Sequence, residues 1–207
     1  MQIKKTIKKY QLVLKNIICN RNNLFSIYLQ HPRWARDNIK IGESTSLRDC
    51  TFVIGKGSKI EIKDNCKIVG LSVYMTGDGN SVSIGSNTCI NARRENPLRL
   101  NACESASISI GDYCLFSNDI QLHTTDYHSV VIPGTQMRTN PAKDIVIGNH
   151  VWVGLRTLIL KGSKIPDGCI IAAGSVISKS FTSGDSLIAG NPATIKKNNI
   201  EWNIKKI

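Results

Sequence analysis

The sequence predicts an all-β fold, a parallel β-helix built from six-residue repeats. The strongest observation is a period of six between Ile147 and Lys179, where a β-branched aliphatic residue recurs without a slip: Ile147, Val153, Ile159, Ile165, Ile171 and Ile177. An amphipathic helix repeats about every 3.6 residues and a strand about every two, so neither element explains this period. Short strands joined by tight corners do explain it, because stacked three-sided coils bury one aliphatic column on each side.

Two further observations favour the same fold. Small residues stand two positions before the next aliphatic residue at four places: Thr157, Ser163, Cys169 and Ser175. Aromatic residues make up only 6% of the chain. A thin prism with no room for rings at its centre is consistent with that composition.

A helix is predicted ahead of the repeats, over residues 1–30. Ile3, Ile7, Tyr10 and Leu14 keep a spacing of three to four, with lysines between them. His31-Pro32 should end this helix, because the residue before a proline avoids the helical conformation. We therefore divide the chain into a basic helical segment (1–38), a β-helix domain (39–190) and a C-terminal tail (191–207).

The repeat begins at Ile39, drifts near Ile60 and returns at Ile84. Two stretches interrupt it, Asn91–Ser105 and Thr124–Lys143, and both are predicted to be loops. The second contains Pro133-Gly134 and Asn140-Pro141, and the repeat resumes after it. A solenoid that loses its period for twenty residues and then recovers it has extruded a loop, and loops of that length are commonly functional.

Composition and charge predict where the protein is located and what kind of partner it binds. Seven cysteines without a C-x-x-C pair indicate free, buried thiols and a reducing, cytoplasmic location. No apolar run reaches the roughly 20 residues of a membrane span, and a signal peptide is not expected. The net charge is +12, with eight basic residues before the first acid, Asp37. These eight predict attraction to an acidic glycan or contact with the inner face of the membrane. Nucleic acid is not expected, because no aromatic residues are interleaved with the lysines.

Histidine is the residue type best suited to take a hydroxyl proton near neutral pH. The chain has four: His31, His123, His128 and His150. His31 precedes a proline, and His150 falls in a corner of the repeat. From spacing alone, either His123 or His128 could be a general base or a plain surface residue. An aspartate two positions before His128, Asp126, could orient its ring.

At this point the motifs carry a resemblance. The sequence contains Asp126-Tyr-His128-Ser, then Asn140-Pro-Ala-Lys-Asp-Ile-Val-Ile-Gly-Asn-His-Val-Trp152-Val-Gly, then Ala172-Ala-Gly-Ser-Val-Ile-Ser-Lys179 and Ala189-Gly-Asn-Pro-Ala193. In combination they resemble the hexapeptide-repeat acetyltransferases, in the branch with galactoside, maltose and surface-polysaccharide O-acetyltransferases. The match runs from about Ile108 to the C-terminus.

The resemblance implies a left-handed β-helix, a homotrimer and acetyl-CoA as acetyl donor. It implies that His128 is the catalytic base, because His128 has the family's separation from Trp152, which His123 lacks. The coenzyme residues it implies, between neighbouring subunits, are Trp152, Leu155, Ala173, Ser178, Lys179, Lys196 and Lys197. An arginine common after Asn-Pro-Ala is Thr194 here. Asn91 is a candidate for the acceptor side.

The implied reaction is direct O-acetylation of a sugar hydroxyl, in a bacterial capsular or lipopolysaccharide glycan. A small sugar or an antibiotic is the alternative acceptor within the family. No metal is expected. A zinc hydratase on the same scaffold would need a third histidine near Asn87, where none occurs. A non-catalytic scaffold would not need the His128 and Trp152 motifs.

Overall fold

The computed structural model describes residues 27–30 and 38–205. Nearly all of its regular structure is strand. The strands run in chain order as follows: β1 (Ile27–Gln30), β2 (Ile39–Ile41), β3 (Ser46–Arg48), β4 (Cys50–Ile54), β5 (Lys59–Ile62), β6 (Lys67–Val69), β7 (Leu71–Met75), β8 (Ser81–Ile84), β9 (Cys89–Asn91), β10 (Leu98–Asn101), β11 (Ser107–Ile110), β12 (Leu115–Phe116), β13 (Gln121–His123), β14 (Ile145–Ile147), β15 (Trp152–Val153), β16 (Leu158–Leu160), β17 (Lys164–Ile165), β18 (Ile170–Ile171), β19 (Val176–Ile177), β20 (Leu187–Gly190) and β21 (Ala193–Lys197).

The strands form three sheets that run along the length of the molecule. The first contains β1, β4, β7, β10, β13, β16 and β19, and the second contains β2, β5, β8, β11, β14 and β17. The third contains β3, β6, β9, β12, β15, β18, β20 and β21. From β2 to β19 the chain visits the second, third and first sheets in turn, so three strands and three corners make one coil. Neighbouring strands pair in parallel, except that β20 and β21 form an antiparallel hairpin.

The predicted aliphatic column is confirmed. Ile147, Val153, Ile159, Ile165 and Ile171 are each at most 2% exposed, and so is the sixth member, Ile177. The four small residues that precede them, Thr157, Ser163, Cys169 and Ser175, are at most 1% exposed. The period of six therefore arises because each face of the three-sided coil has one such inward-facing position.

The corner between the second and third sheets is held by polar side chains. The Oδ1 atoms of Asp64, Asp112 and Asp167 accept backbone N–H groups of the preceding coil at 2.6, 2.7 and 2.7 Å. Gly148 stands against this ladder, where an added Cβ would lie 2.2 Å from Asp167 Oδ1. Glycine after the aliphatic residue is therefore required by the approach of the next coil.

Two sequence predictions are corrected. The helix predicted over 1–30 is wrong for Ile27–Gln30, which pairs as a parallel strand with Cys50–Ile54. Residues 1–26, the rest of that helix, lie outside the described residues. Asn91–Ser105 is not only a loop, because Leu98–Asn101 pairs with β7 and β13. Leu98 and Leu100 are fully buried there. The segment has the alternating burial of a strand although the period of six is broken.

No helix among the described residues is long and apolar enough to cross a membrane.

Candidate active site

A long excursion leaves the prism between β13 and β14, at the corner between the first and second sheets. Its two ends meet where the N–H of Lys143 donates to the carbonyl oxygen of Thr124 at 2.9 Å. Within it, Val131 and Arg138 form an isolated antiparallel bridge. We call residues 124–143 the active-site loop.

Glu104, in the preceding coil, holds one side of the active-site loop. Glu104, in the corner before β11, accepts hydrogen bonds from Arg138 Nη1 and Nη2 at 2.6 and 3.1 Å. The hydroxyl of Thr125 donates to the same carboxylate at 2.6 Å. The Arg138 guanidinium, with help from Thr125, lowers the pKa of Glu104 to about 2. This anchor stays charged, and therefore intact, throughout the neutral range.

Lys161, in the following coil, holds the loop on the other side through Asp126 and Asn140. The Lys161 ammonium, in the corner after β16, binds Asp126 Oδ2 and the carbonyl oxygen of Asn140. Asn140 Nδ2 donates to Asp126 Oδ2 at 2.8 Å. Lys161 in the first place, and Asn140 after it, hold the pKa of Asp126 below its usual value. The carboxylate is therefore ionised and bound to the scaffold.

His128 lies in a sharp turn held by this network. Its N–H donates to the Asp126 carbonyl oxygen at 2.8 Å, across Tyr127, whose φ is 63°. Its own carbonyl oxygen accepts from Asn140 Nδ2 at 2.9 Å. The His128 side chain is exposed, and no hydrogen-bond partner of its imidazole lies within the described part of the chain.

The suggested role of Asp126 is corrected by this geometry. Its carboxylate binds Lys161 and Asn140 rather than the ring of His128. Asp126 and Asn140 therefore position the backbone of His128 and leave its imidazole available.

His123 is in a different environment. Its Nδ1 lies 3.0 Å from the Tyr127 hydroxyl and its Nε2 lies 3.2 Å from Gln121 Oε1. Burial, and then the charge of Arg99, lowers the pKa of His123. With both ring nitrogens engaged, His123 supports the turn through Tyr127.

Trp152 lies on the third sheet, and 40% of it is exposed. Its ring is 6.0 Å from the ring of Trp202. Trp202 stacks on His150 at 4.3 Å, donates from Nε1 to the His150 carbonyl oxygen at 2.8 Å, and is 8% exposed. The C-terminal tail therefore packs beside Trp152.

The remaining expected coenzyme residues fall at three places, two corners of the coil and the end of the third sheet. Leu155 and the Ala173–Gly174 turn lie at the corner between the third and first sheets, joined by a 2.8 Å bond from Gly174 N–H to the Leu155 carbonyl oxygen. Ser178 and Lys179 follow β19, at the same corner as the active-site loop. Lys196 and Lys197 lie on β21, at the end of the third sheet.

One chain therefore does not bring the expected site together. His128, Ser178 and Lys179 lie at the corner between the first and second sheets. Trp152 points outward from the third sheet, which is opposite that corner in a three-sided coil. Within one chain, His128 and Trp152 therefore lie on opposite sides of the coil.

Cys114 and Cys169 are poorly suited to nucleophilic roles. Burial raises the pKa of Cys114 to about 11 and raises that of Cys169. A thiol that stays protonated at neutral pH is a weak nucleophile. No group of three or more His, Cys, Asp or Glu side chains within residues 38–205 could hold a metal ion.

Sequence reasoning missed the residues that hold the loop. In the sequence, Asn140 marks the loop beside Pro141 and opens one of the motifs of the resemblance, but nothing there links it to His128. Lys161 and Glu104 carry no signal. Glu104 and Arg138 are 34 positions apart in the chain, and Lys161 and Asp126 are 35 apart, so only the coil geometry reveals these contacts.

Comparison with known proteins supplies the family. The chain is 32% identical over 180 residues to the polysialic acid O-acetyltransferase of Neisseria meningitidis, covering 78% of this chain and 84% of that protein. It is 35% identical over 143 residues to the polysialic acid O-acetyltransferase of Escherichia coli O1:K1 / APEC, covering 69% of this chain and 44% of that protein.

A solved structure agrees along nearly the whole chain. The crystal structure of the polySia-specific acetyltransferase NeuO superposes with a TM-score of 0.65 at 26% identity, covering 87% of this chain and 89% of that one. No family model matches the sequence. The extent of the Neisseria match, together with the six-residue repeats, shows that the chain belongs to the left-handed β-helix, hexapeptide-repeat O-acetyltransferases, in the branch with the polysialic acid and galactoside enzymes.

Proposed function

We propose that this enzyme transfers an acetyl group from acetyl-CoA to a hydroxyl of a bacterial surface glycan, at a site shared by two chains of a homotrimer. The observation that carries the proposal is the exposed imidazole of His128, on a turn whose backbone is bonded to Asp126 and Asn140. A positioned histidine without an internal partner is suited to act as a general base.

Acetyl-CoA supplies the acetyl group as an activated thioester. The His128 imidazole accepts the proton of the sugar hydroxyl while the hydroxyl oxygen forms the new bond to the acetyl carbon. The same imidazole then returns this proton to the sulfur when the carbon–sulfur bond breaks. No charge or proton is left over, and no covalent enzyme intermediate is needed.

The residues expected to bind the coenzyme have suitable chemistry. Ala173 is exposed, and an added Cβ at Gly174 would meet nothing within 4 Å, so this turn presents nearly bare backbone. A pantetheine arm can run close to such a surface and pair with its amides. The exposed Lys179, Lys196 and Lys197 supply cations for phosphates.

A second chain would also cover the apolar surface of the active-site loop. Val130, Val131, Ile132 and Met137 are 58%, 46%, 43% and 63% exposed. An apolar cluster of this kind on one loop marks a contact surface. We assign it to the neighbouring chain of a cyclic trimer, which brings the Trp152 face of one chain toward the His128 corner of the next.

The acceptor class follows from relatives and charge. Two relatives are named polysialic acid O-acetyltransferases, and polysialic acid is an acidic glycan. All eight basic residues before Asp37 lie outside the described residues. Eight cations without an acid would attract such a polymer at the cytoplasmic face of the membrane. Deleting residues 1–21 should raise KM for an acidic polymer and spare small neutral acceptors. Equal losses on both would reject this role.

The test of the activity is thiol release from acetyl-CoA by the purified enzyme. The acceptor panel contains sialic acid oligomers, capsule fragments, galactosides, maltose and chloramphenicol. We expect acceptor-dependent release with the surface glycans and an acetyl ester in the product by mass spectrometry. Turnover confined to small sugars or the antibiotic would reject the glycan acceptor, and no turnover with any acceptor would reject the proposed function.

A further inference from the structure

The corner between the third and first sheets is a continuous stack of turns. The N–H of Arg156 donates to the Asn118 carbonyl oxygen at 3.1 Å, and the N–H of Asp119 donates to the Asn96 carbonyl oxygen at 2.9 Å. Residues 93–96 form a tight turn at this corner, closed by the Arg93–Asn96 bridge. One hydrogen-bonded stack therefore connects the 93–96 turn to Leu155.

This corner is rich in arginine. Arg93 and Arg94 are exposed, and neither forms an ion pair with a described carboxylate. Arg99 and Arg156 share a single carboxylate, that of Asp119, at 3.5 and 3.7 Å. The side chain of Arg156 is 75% exposed. Glu95 lies in the same turn and is exposed, without an ion pair to a described residue. Four guanidinium groups therefore stand beside two carboxylates, those of Glu95 and Asp119, and the corner keeps an excess of positive charge.

The neighbouring corner shows that this is not a general property of the coils. Between the second and third sheets, the corner side chains are carboxylates such as Asp64, Asp112 and Asp167, which accept backbone N–H groups. Those acids have an internal structural role. The guanidinium groups of Arg93 and Arg94 have no comparable contact in residues 38–205, so the fold does not account for their presence.

The position of the arginines relative to the proposed site is informative. Leu155 and Ala173 lie at this same corner, in the coils that follow. The 93–94 turn is two coils from Leu155, roughly 10 Å at the usual strand spacing. A chain lying along this corner would pass the arginines on its way to the coenzyme residues.

We propose that Arg93 and Arg94 form an acceptor subsite that binds carboxylate groups of an anionic sugar chain, and that the corner guides this chain to the acetyl group. This inference rests on the proposed O-acetyltransferase function. Guanidinium groups pair with planar carboxylates through two parallel hydrogen bonds, which also explains arginine rather than lysine at these positions. Exposed pairs of this kind are screened by salt.

The test is steady-state kinetics of the double variant Arg93→Gln/Arg94→Gln. The probes are a sialic acid hexamer and the same hexamer with its carboxylates converted to methyl amides. We expect KM for the acidic hexamer to rise about tenfold, with a smaller effect at high salt, while KM for acetyl-CoA, kcat and KM for the neutral hexamer stay unchanged. The matched control is Lys40→Gln/Lys63→Gln, which removes the same charge from exposed positions elsewhere and should change little.

Several outcomes would overturn the proposal. One is an equal rise in KM for both hexamers, and another is the same rise in the control variant. A rise in KM for acetyl-CoA alone would assign the arginines to coenzyme phosphates. These results differ from failure of the underlying function, in which the wild-type enzyme would release no thiol with either hexamer.

Discussion

Removing the side chain of Asn140 should impair catalysis without unfolding the protein. The amide makes four hydrogen bonds: it donates to Asp126 Oδ2 at 2.8 Å and to the His128 carbonyl oxygen at 2.9 Å, and it accepts from Val130 N–H at 2.7 Å and Arg138 Nε at 3.2 Å. Asn140→Ala deletes all four. It therefore releases the backbone of His128 from the rest of the active-site loop.

The size of the effect can be estimated from these contacts. A hydrogen bond contributes about 1 kcal/mol net, and water replaces part of that at a half-buried residue such as Asn140. We take about 2 kcal/mol for the set. About 1.4 kcal/mol corresponds to a factor of ten. If kcat is proportional to the fraction of molecules in which the His128 turn is in place, it should therefore fall about 10- to 30-fold. The loop is a local unit outside the core, so the melting temperature should change by no more than a few degrees.

The assay compares kcat, both KM values and Tm of Asn140→Ala with those of wild type. Ser129→Ala is the control, because Ser129 lies in the same loop, is exposed and has no side-chain hydrogen bond in the described structure. Asn140→Asp should be at least as damaging, since it replaces the amide donor with a second carboxylate beside Asp126. Wild-type kcat in Asn140→Ala would refute the positioning role. So would a Tm loss large enough to explain the whole effect.

Three further predictions concern the base, the anchor and the tail. His128→Ala should lower kcat about 10²- to 10⁴-fold while His123→Ala remains active, measured by thiol release, and the reverse order would contradict the assignment of the base. Glu104 has a depressed pKa of about 2, so the stability it gives the loop is complete above about pH 4.5 and is lost as the pH falls toward 2. Hydrogen exchange of loop amides should therefore differ between wild type and Glu104→Gln at pH 5 and converge near pH 2, whereas a difference that is constant with pH would be inconsistent with this anchor. Trp202→Ala should raise KM for acetyl-CoA about three- to tenfold by removing the support beside Trp152, with the 68% exposed Ile204→Ala as control, and equal effects of the two variants would count against it.

The repeat itself could be predicted from sequence because burial in this fold is periodic. Ile147 and the five residues that follow it at intervals of six all point into the core, and each has the shape that the position requires. Prediction weakened where corners are longer. Near Ile60 and Leu98, extra corner residues shift the period while the strands stay aligned, as the pairing of Ile62 with Ile84 shows. A periodic pattern is visible only where the buried residues are equally spaced in the sequence. Strands can still pair when the corners between them differ in length.

The site was predictable only in part, for a different physical reason. The motifs predict His128 and Trp152 as site residues. The sequence suggests the ring of His128 as the partner of Asp126, because it does not show that Lys161 lies in the next coil. Lys161 and Glu104 reach the loop from coils on either side of it. Contacts between stacked corners depend on coil length, which the sequence does not reveal where the period is broken.

The most direct test of the account is complementation between chains. His128→Ala and Trp152→Ala chains, each strongly impaired alone, would be co-expressed with different tags, and mixed trimers would be isolated by passage over both tags. If His128 of one chain acts with Trp152 of its neighbour, each mixed ring has one intact site of three, and thiol release should recover to about one third of wild type. Mixed trimers as inactive as either parent would contradict a site shared between chains.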